Sequence, residues 1–433
     1  MRRTLLAVLL LLPAPLRAQD TTRAPGGVRI GITYAPLTRA SVAVVRTAAA
    51  PWLDSVRAIG ERDLDQSDRF EIVRRAGVGD GATPQAMEAI IAARAADLVV
   101  QVDTAGGAIR VRLVDVRTGR QAYGTQLPIG GIGLAAGRRT VHRASDEIER
   151  AATGTPGVAA TALLLVRGGR LMAVDADGYG VREVRAAGRP ALSPAWSPDA
   201  RWIAYTAFVP AGQPIVLQDL LTGAREVVPT TEYGLNITPE FSPDGRRLAF
   251  AHGTEAGTDL YVYDVARRCC VQRLTAGRGF ADNLSPAWSP DGTRIAFISN
   301  RAGSPQLYVM AADGTGQEVL GRFDFGATGT TASPAWSPDG SAIAFHREVG
   351  GAPQLFVLDL ATRSVRQLTG AGRNEDPTWA PDGRHLAFVS DRSGAREIWV
   401  VDLETGRLRQ VTNVGGARLP AWSPRLSASE GRE

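Results

Sequence analysis

The chain has 433 residues, 44% of them hydrophobic and 21% charged, with a formal net charge of +5. That length and apolar content suit two folded domains and exclude a disordered or fibrous chain. All 49 basic residues are arginine, and they form no basic stripe interleaved with aromatics, which excludes the electrostatic footprint of nucleic-acid binding.

Residues 1–18 read as an export signal that is removed. Arg2-Arg3 precede the apolar run 5–12, and Leu16-Arg17-Ala18 offers a small-residue cleavage site. Three of the five net positive charges, on Arg2, Arg3 and Arg17, would leave with it. The run falls short of the roughly 20 apolar residues that span a bilayer. The mature chain is therefore expected to be exported without direct membrane insertion.

The stretch 19–155 reads as an α/β domain. Residues 28–33, 41–45 and 70–73 are strand-like, and Pro51 opens a helix running to about Gln66. Thr83-Pro84 caps a second helix whose Met87, Ile90, Ile91 and Ala95 share one face. Residues 97–102, 109–115 and 120–124 predict an antiparallel set. A last helix over about 138–152 leads through 153–157 into the second domain.

The second domain, 158–426, is built on a repeat. Pro-Ala-Trp-Ser-Pro-Asp begins at Pro194, and close copies begin at Pro239, Pro286, Pro334 and Pro377, with a truncated copy at Pro420. Read at the aromatic residues Trp196, Phe241, Trp288, Trp336, Trp379 and Trp422, the spacings are 45, 47, 48, 43 and 43 residues. Period-two strands at about that repeat length predict a β-propeller of four-stranded blades. Within each copy Pro presets φ, Asp bonds its own backbone and Gly supplies positive φ, so Pro-Asp-Gly is a turn joining two strands. Five blades are complete. The sixth must join the strand at Pro420 to strands at 161–166, 170–174 and 181–184, closing the ring without an open sheet edge. Residues 427–433 are a tail.

Signals of catalysis are weak. His142, His252, His346 and His385 fall in separate elements, with no paired spacing and no expected carboxylate set around them, so no metal site is expected. The glycine-rich run 130–137 lacks the strand–turn–helix unit of a dinucleotide site, and no Gly-x-Ser-x-Gly elbow occurs. Cys269-Cys270 reads as two small apolar residues opening an outer strand, one facing each side and both dispensable. The repeated aromatics read as packing between neighbouring sheets rather than as a sugar-stacking platform.

The repeated phrase, the six-blade count, the ending Leu419-Pro420-Ala421-Trp422-Ser423-Pro424 and the export signal together resemble the TolB family, periplasmic propeller proteins of the Tol–Pal envelope system. His142-Arg143-Ala144-Ser145-Asp146-Glu147-Ile148 resembles the helix closing that family's N-terminal domain. The resemblance implies a monomer with no enzymatic activity and no cofactor, supporting outer-membrane integrity and constriction during division. It implies that the peptidoglycan-associated lipoprotein Pal is bound at the propeller mouth by the residues leading into each inner strand. Here these are Leu235, Asn236, Ile237 and Thr238; Asp282, Asn283, Leu284 and Ser285; and Asn374, Glu375 and Asp376. It also implies an N-terminal segment read by the inner-membrane protein TolA, matched by Val28, Arg29, Ile30, Gly31, Ile32 and Thr33. Residues 19–27 precede that match and the family's continuation is absent at Thr33-Tyr34, so the Pal expectation is the better supported. The alternatives are an exported propeller scaffold binding another envelope protein, and a relative of prolyl oligopeptidase-type propellers lacking the catalytic domain.

Overall fold

The computed structural model describes residues 39–46, 52–74, 96–128, 135–230, 234–255, 257–276, 281–320 and 329–426. The leader, the segment 28–33, the helix expected after Thr83, residues 130–134 of the glycine-rich run and the tail 427–433 lie outside the described residues.

In the N-terminal domain, β1 (Ala40–Arg46) is apolar on both faces: Val42 and Val44 enter one core cluster, Ala43 and Val45 another. Such a strand is covered on both sides and suits parallel pairing. It pairs in parallel with β2 (Phe70–Ile72) and with β3 (Leu98–Ala105). The connection from β1 to β2 carries α1 (Trp52–Gln66), which buries Leu53, Val56, Ile59 and Leu64. β4 (Ala108–Asp115) alternates strictly between inside and outside, and with β3 and β5 (Gln121–Pro128) it forms the expected antiparallel set. β5 runs four residues beyond the expected end at 124. α2 (Ala135–Thr153) packs Val141, Ala144, Ile148 and Ala152, spaced three or four apart, against the same core.

The second domain is a ring of six four-stranded sheets. Blades 1 to 5 begin with the inner strands Ala191–Trp196, Leu235–Phe241, Asn283–Trp288, Thr331–Trp336 and Asn374–Trp379. Blade 6 closes as the strand count requires. Ala417–Trp422 pairs antiparallel with Ala162–Arg167, placing Ala421 opposite Leu164 and Trp422 opposite Leu163. Each repeat aromatic packs on the preceding blade: Trp196 on Leu164 and Leu171, Trp336 on Ala296 and Ile298, Trp422 on Ile398 and Val400.

The turn chemistry is local. In the second copy the Ser242 hydroxyl donates to Asp244 at 2.5 Å and accepts the Arg247 N–H at 2.9 Å, while Gly245 takes φ 69°. In the first copy Ala200 takes φ 59° in place of glycine. The fifth copy has Ala380 where the others have serine, so Asp382 has no such hydroxyl to bind.

The expectation that the two cysteines face opposite sides of the strand is overturned. Cys269 and Cys270 are bonded to each other as a vicinal disulfide. Arg268 and Cys270 lie at φ 55° and 65°, and the strand's register slips between Val262 and Asp264. Left-handed backbone at Cys270 breaks the alternation that would have sent the two side chains to opposite faces.

Candidate partner-binding face

The first five inner strands run from one face of the ring to a Pro-Asp turn at the other, and the sixth ends at Ser423-Pro424 on that same side. At the residue before the phrase's proline all six adopt left-handed backbone: Ser193 (φ 49°), Thr238 (50°), Ser285 (52°), Ser333 (49°), Asp376 (55°) and Leu419 (50°). The proline that follows disfavours right-handed helical backbone at these positions. Each marks a bulge, with the ladder slipping between Ile237 and Glu240, Leu284 and Ala287, Ala332 and Ala335, Glu375 and Thr378, and Arg418 and Ala421. The first inner strand slips likewise against Ala204 and Thr206. Bulges re-aim side chains and end regular pairing, and here they recur at one height around the channel.

This geometry changes the reading of the eleven expected contact residues. They were expected in loops leading into the inner strands, yet all but Asp282 lie within the strands. Leu235 is 41% exposed. Ile237, Thr238, Asp282, Leu284, Ser285, Glu375 and Asp376 are half-buried. Asn236, Asn283 and Asn374 are buried, at one equivalent position in three blades. Asn283 donates to Asp259 at 3.0 Å and accepts from Arg301 at 2.6 Å; Asn374 donates to Gln354 at 2.8 Å and accepts from Arg392 at 2.7 Å. Asn236 donates to the Gln213 carbonyl at 2.9 Å, and its oxygen lies 2.9 Å from His252 Nδ1. These amides are spent inside the ring, so the three asparagines brace the face rather than offer themselves to a partner.

Blade 5 brings several charged groups to the mouth. Glu375 lies 3.3 Å from Arg373 and 3.7 Å from Arg396. Asp376 accepts the Ser333 hydroxyl at 2.8 Å, and its own N–H donates to His346 Nδ1 at 3.1 Å. Burial pushes the Asp376 carboxyl up and the His346 ring down. Across to blade 3, Glu240 accepts the backbone N–H of Trp288 at 3.2 Å, and burial raises its carboxyl to about 8. The five other inner strands carry Ala195, Ala287, Ala335, Thr378 and Ala421 at that position.

The N-terminal domain docks on the opposite face, against the turns of blades 5 and 6. Arg407 donates to Asp65 and Asp68, each at 2.9 Å or less, and Arg138 donates to Asp177 at 2.6 Å. Arg384 reaches the Asp68 carbonyl at 3.2 Å. Asp146 on α2 accepts the N–H groups of Ala159 and Ala160 at the start of the propeller domain, at 2.7 and 3.0 Å. The expectation of histidines without carboxylates around them fails here, because docking assembles elements distant in sequence. Asp68 and Asp402 gather around His385, and Asp175 and Asp177 around His142. Arg384 and Arg407 already pair with Asp402 and Asp68, and Arg138 and Arg62 with Asp177. A metal ion would have to displace these arginines from the same carboxylates, which are already neutralised by ion pairs.

Among known proteins, the model described as the TolB beta propeller domain matches residues 152–326 and 322–428. The solved structure of TolB from Acinetobacter baumannii is similar over 90% of this chain and 98% of its own, with 28% identity and a TM-score of 0.75. The Tol-Pal system protein TolB of Methylococcus capsulatus is 35% identical over 189 residues, 40% of this chain and 44% of that protein. That of Xanthomonas oryzae pv. oryzae is 32% identical over 239 residues, 51% of this chain and 52% of that protein. The chain thus spans about half the length, or less, of these curated relatives. With the family model covering most of the six-bladed ring, the chain belongs to the TolB β-propeller family.

Proposed function

We propose that this chain is a non-enzymatic adaptor of the Tol–Pal type, working in the periplasm after removal of residues 1–18. Its propeller mouth binds a Pal-like peptidoglycan-associated lipoprotein, and residues 28–33 engage a TolA-like inner-membrane protein. Through these contacts it supports outer-membrane integrity and constriction during division. We divide the mature chain into an N-terminal domain at 19–155 and the propeller at 158–426.

The observation that carries this reading is the ring of left-handed residues on the face away from the N-terminal domain. Loops and bulges on one face of a rigid scaffold are where binding residues concentrate. The exposed Leu235 and the half-buried Ile237, Leu284, Ser285 and Glu375 present mixed apolar and polar surface there, as protein interfaces do.

Deletion of the gene tests the reading. Loss of the protein is expected to release periplasmic contents and sensitise cells to detergent. The intact gene should restore the barrier, whereas a Leu235→Arg variant that accumulates normally should not. A deletion strain with an intact barrier would overturn the assignment.

A further inference from the structure

The seam between the domains is built around two buried histidines that face opposite ways, each 1% exposed. His142 belongs to α2, and its Nδ1 lies 2.9 Å from both carboxylate oxygens of Asp63 on α1, within its own domain. A ring nitrogen of His142 also stands within 4.8 Å of carboxylate oxygens of Asp175 and Asp177, in blade 6. His385 repeats the arrangement from the propeller side. Its Nδ1 lies 2.6 Å from Asp382 within blade 5, and its Nε2 stands 3.6 Å from Asp68 Oδ2, just after α1. Neither Nε2 has a hydrogen-bond partner among the described residues.

The protonation state follows from this geometry. A neutral ring donating Nδ1–H to its own-domain carboxylate would turn an Nε2 lone pair toward the carboxylates of the other domain. A doubly protonated ring attracts the carboxylates on both sides. We propose that the two domains are joined by a reciprocal imidazolium clasp, with His142 reaching to Asp177 and His385 reaching to Asp68. The N-terminal domain undocks when the two rings lose their protons.

The surrounding groups act in the same direction. Around His385, Asp402 lies 3.5 Å from Nε2, and Arg384 and Arg407 neutralise Asp402 and Asp68; Arg409 is also close enough to oppose the ring charge. Burial works against a charged His385, but its bond to Asp382 and the nearby Asp68 carboxylate outweigh burial and push the ring up to about 9. Burial likewise opposes a charged His142, yet Asp63 and Asp177 raise it against the opposing Arg138. On α2, burial raises Asp146 to about 7 and Glu149 to about 8, with Arg69 paired to Glu149. All four groups hold their protons more tightly in the docked chain than their ordinary values would give. For the two histidines the contribution is complete below about pH 6.5 and is lost as pH rises, for His385 through about 9. For Asp146 and Glu149 it is complete only below their ordinary values of 3.8 and 4.5 and is lost through about 7 and about 8.

Limited proteolysis of the full mature chain across the connecting segment 153–158 reads docking directly. Cleavage is expected to be slow near pH 6 and at least ~10-fold faster near pH 10, with the circular dichroism of both domains retained. A His142→Gln/His385→Gln variant should be cleaved at the fast rate at both pH values. Equal rates at both pH values for the unmodified chain would overturn the clasp, as would protection that a chelator removes. Should the double variant fail to fold, NMR titration of the unmodified chain decides. Both rings titrating above the ordinary histidine range supports the clasp, and ordinary or lowered values contradict it.

Discussion

Trp422 donates its indole N–H to Thr161 Oγ1 at 2.8 Å, joining residues 261 positions apart in the chain. The bond sits beside the strand pairing that closes blade 6, so one side chain both fills the seam with blade 5 and ties the two ends of the ring. Trp422→Ala should therefore cost about 3–5 kcal/mol through cavity formation. Truncation before Pro420 should leave a protease-sensitive, aggregating chain, because it bares the edge of Ala162–Arg167. Urea denaturation and proteolysis of the two forms check this; unchanged stability in both would mean the ring does not depend on this closure.

Thr238 is the one β-branched residue among the six left-handed positions, and such backbone is costly for that side-chain type. Thr238→Asn is expected to raise stability by ~0.5–1 kcal/mol, because asparagine tolerates this region. A drop in the denaturation midpoint would show that the threonine makes a compensating contribution.

Glu240 should weaken the fold as pH rises. Burial raises its carboxyl to about 8, above an ordinary glutamate, so folding favours the protonated form. The sign follows: this group's effect on stability becomes less favourable from above about pH 4.5 through its folded value. Glu240→Gln should match the unmodified protein below about pH 4.5 and exceed its melting temperature near pH 9. A variant less stable at alkaline pH would contradict the assigned protonation.

The vicinal disulfide closes no long loop, since its cysteines are adjacent, and so removes little entropy from the unfolded chain. Cys269→Ser/Cys270→Ser is expected to change stability by less than ~1 kcal/mol. Thiol labelling of the exported protein under denaturing, non-reducing conditions should find no free cysteine. Two labelled thiols would contradict the bond.

Much of the ring could be read because its information is local and repeated. Pro-Asp-Gly specifies its turn six residues at a time, and a period of 43 to 48 residues leaves little choice of architecture. The face was read less well. The leading residues look like loop because Asn, Asp and Ser favour turns, yet a single left-handed residue before each proline lets the strand continue past them. Asn236, Asn283 and Asn374 could not be recognised as struts, because their partners come from neighbouring strands and loops. The domain seam was least legible. His385 meets Asp68 only through docking, 317 positions away in sequence. One local sign was available: Ala380 replaces the serine of the other copies and leaves Asp382 to bind the ring of His385.

The central claim, that the propeller mouth receives a Pal-like lipoprotein, is tested most directly by calorimetric titration. The mature chain is titrated with the soluble domain of the Pal-like protein from the same genome. Saturable one-to-one binding at micromolar affinity or tighter is expected, about −8 kcal/mol or stronger. Leu235→Arg and Glu375→Gln should each weaken it at least ~10-fold while leaving the melting temperature nearly in place, because Leu235 is exposed and the half-buried Glu375 keeps its shape as glutamine. No binding, or binding that both variants leave intact, would contradict the account.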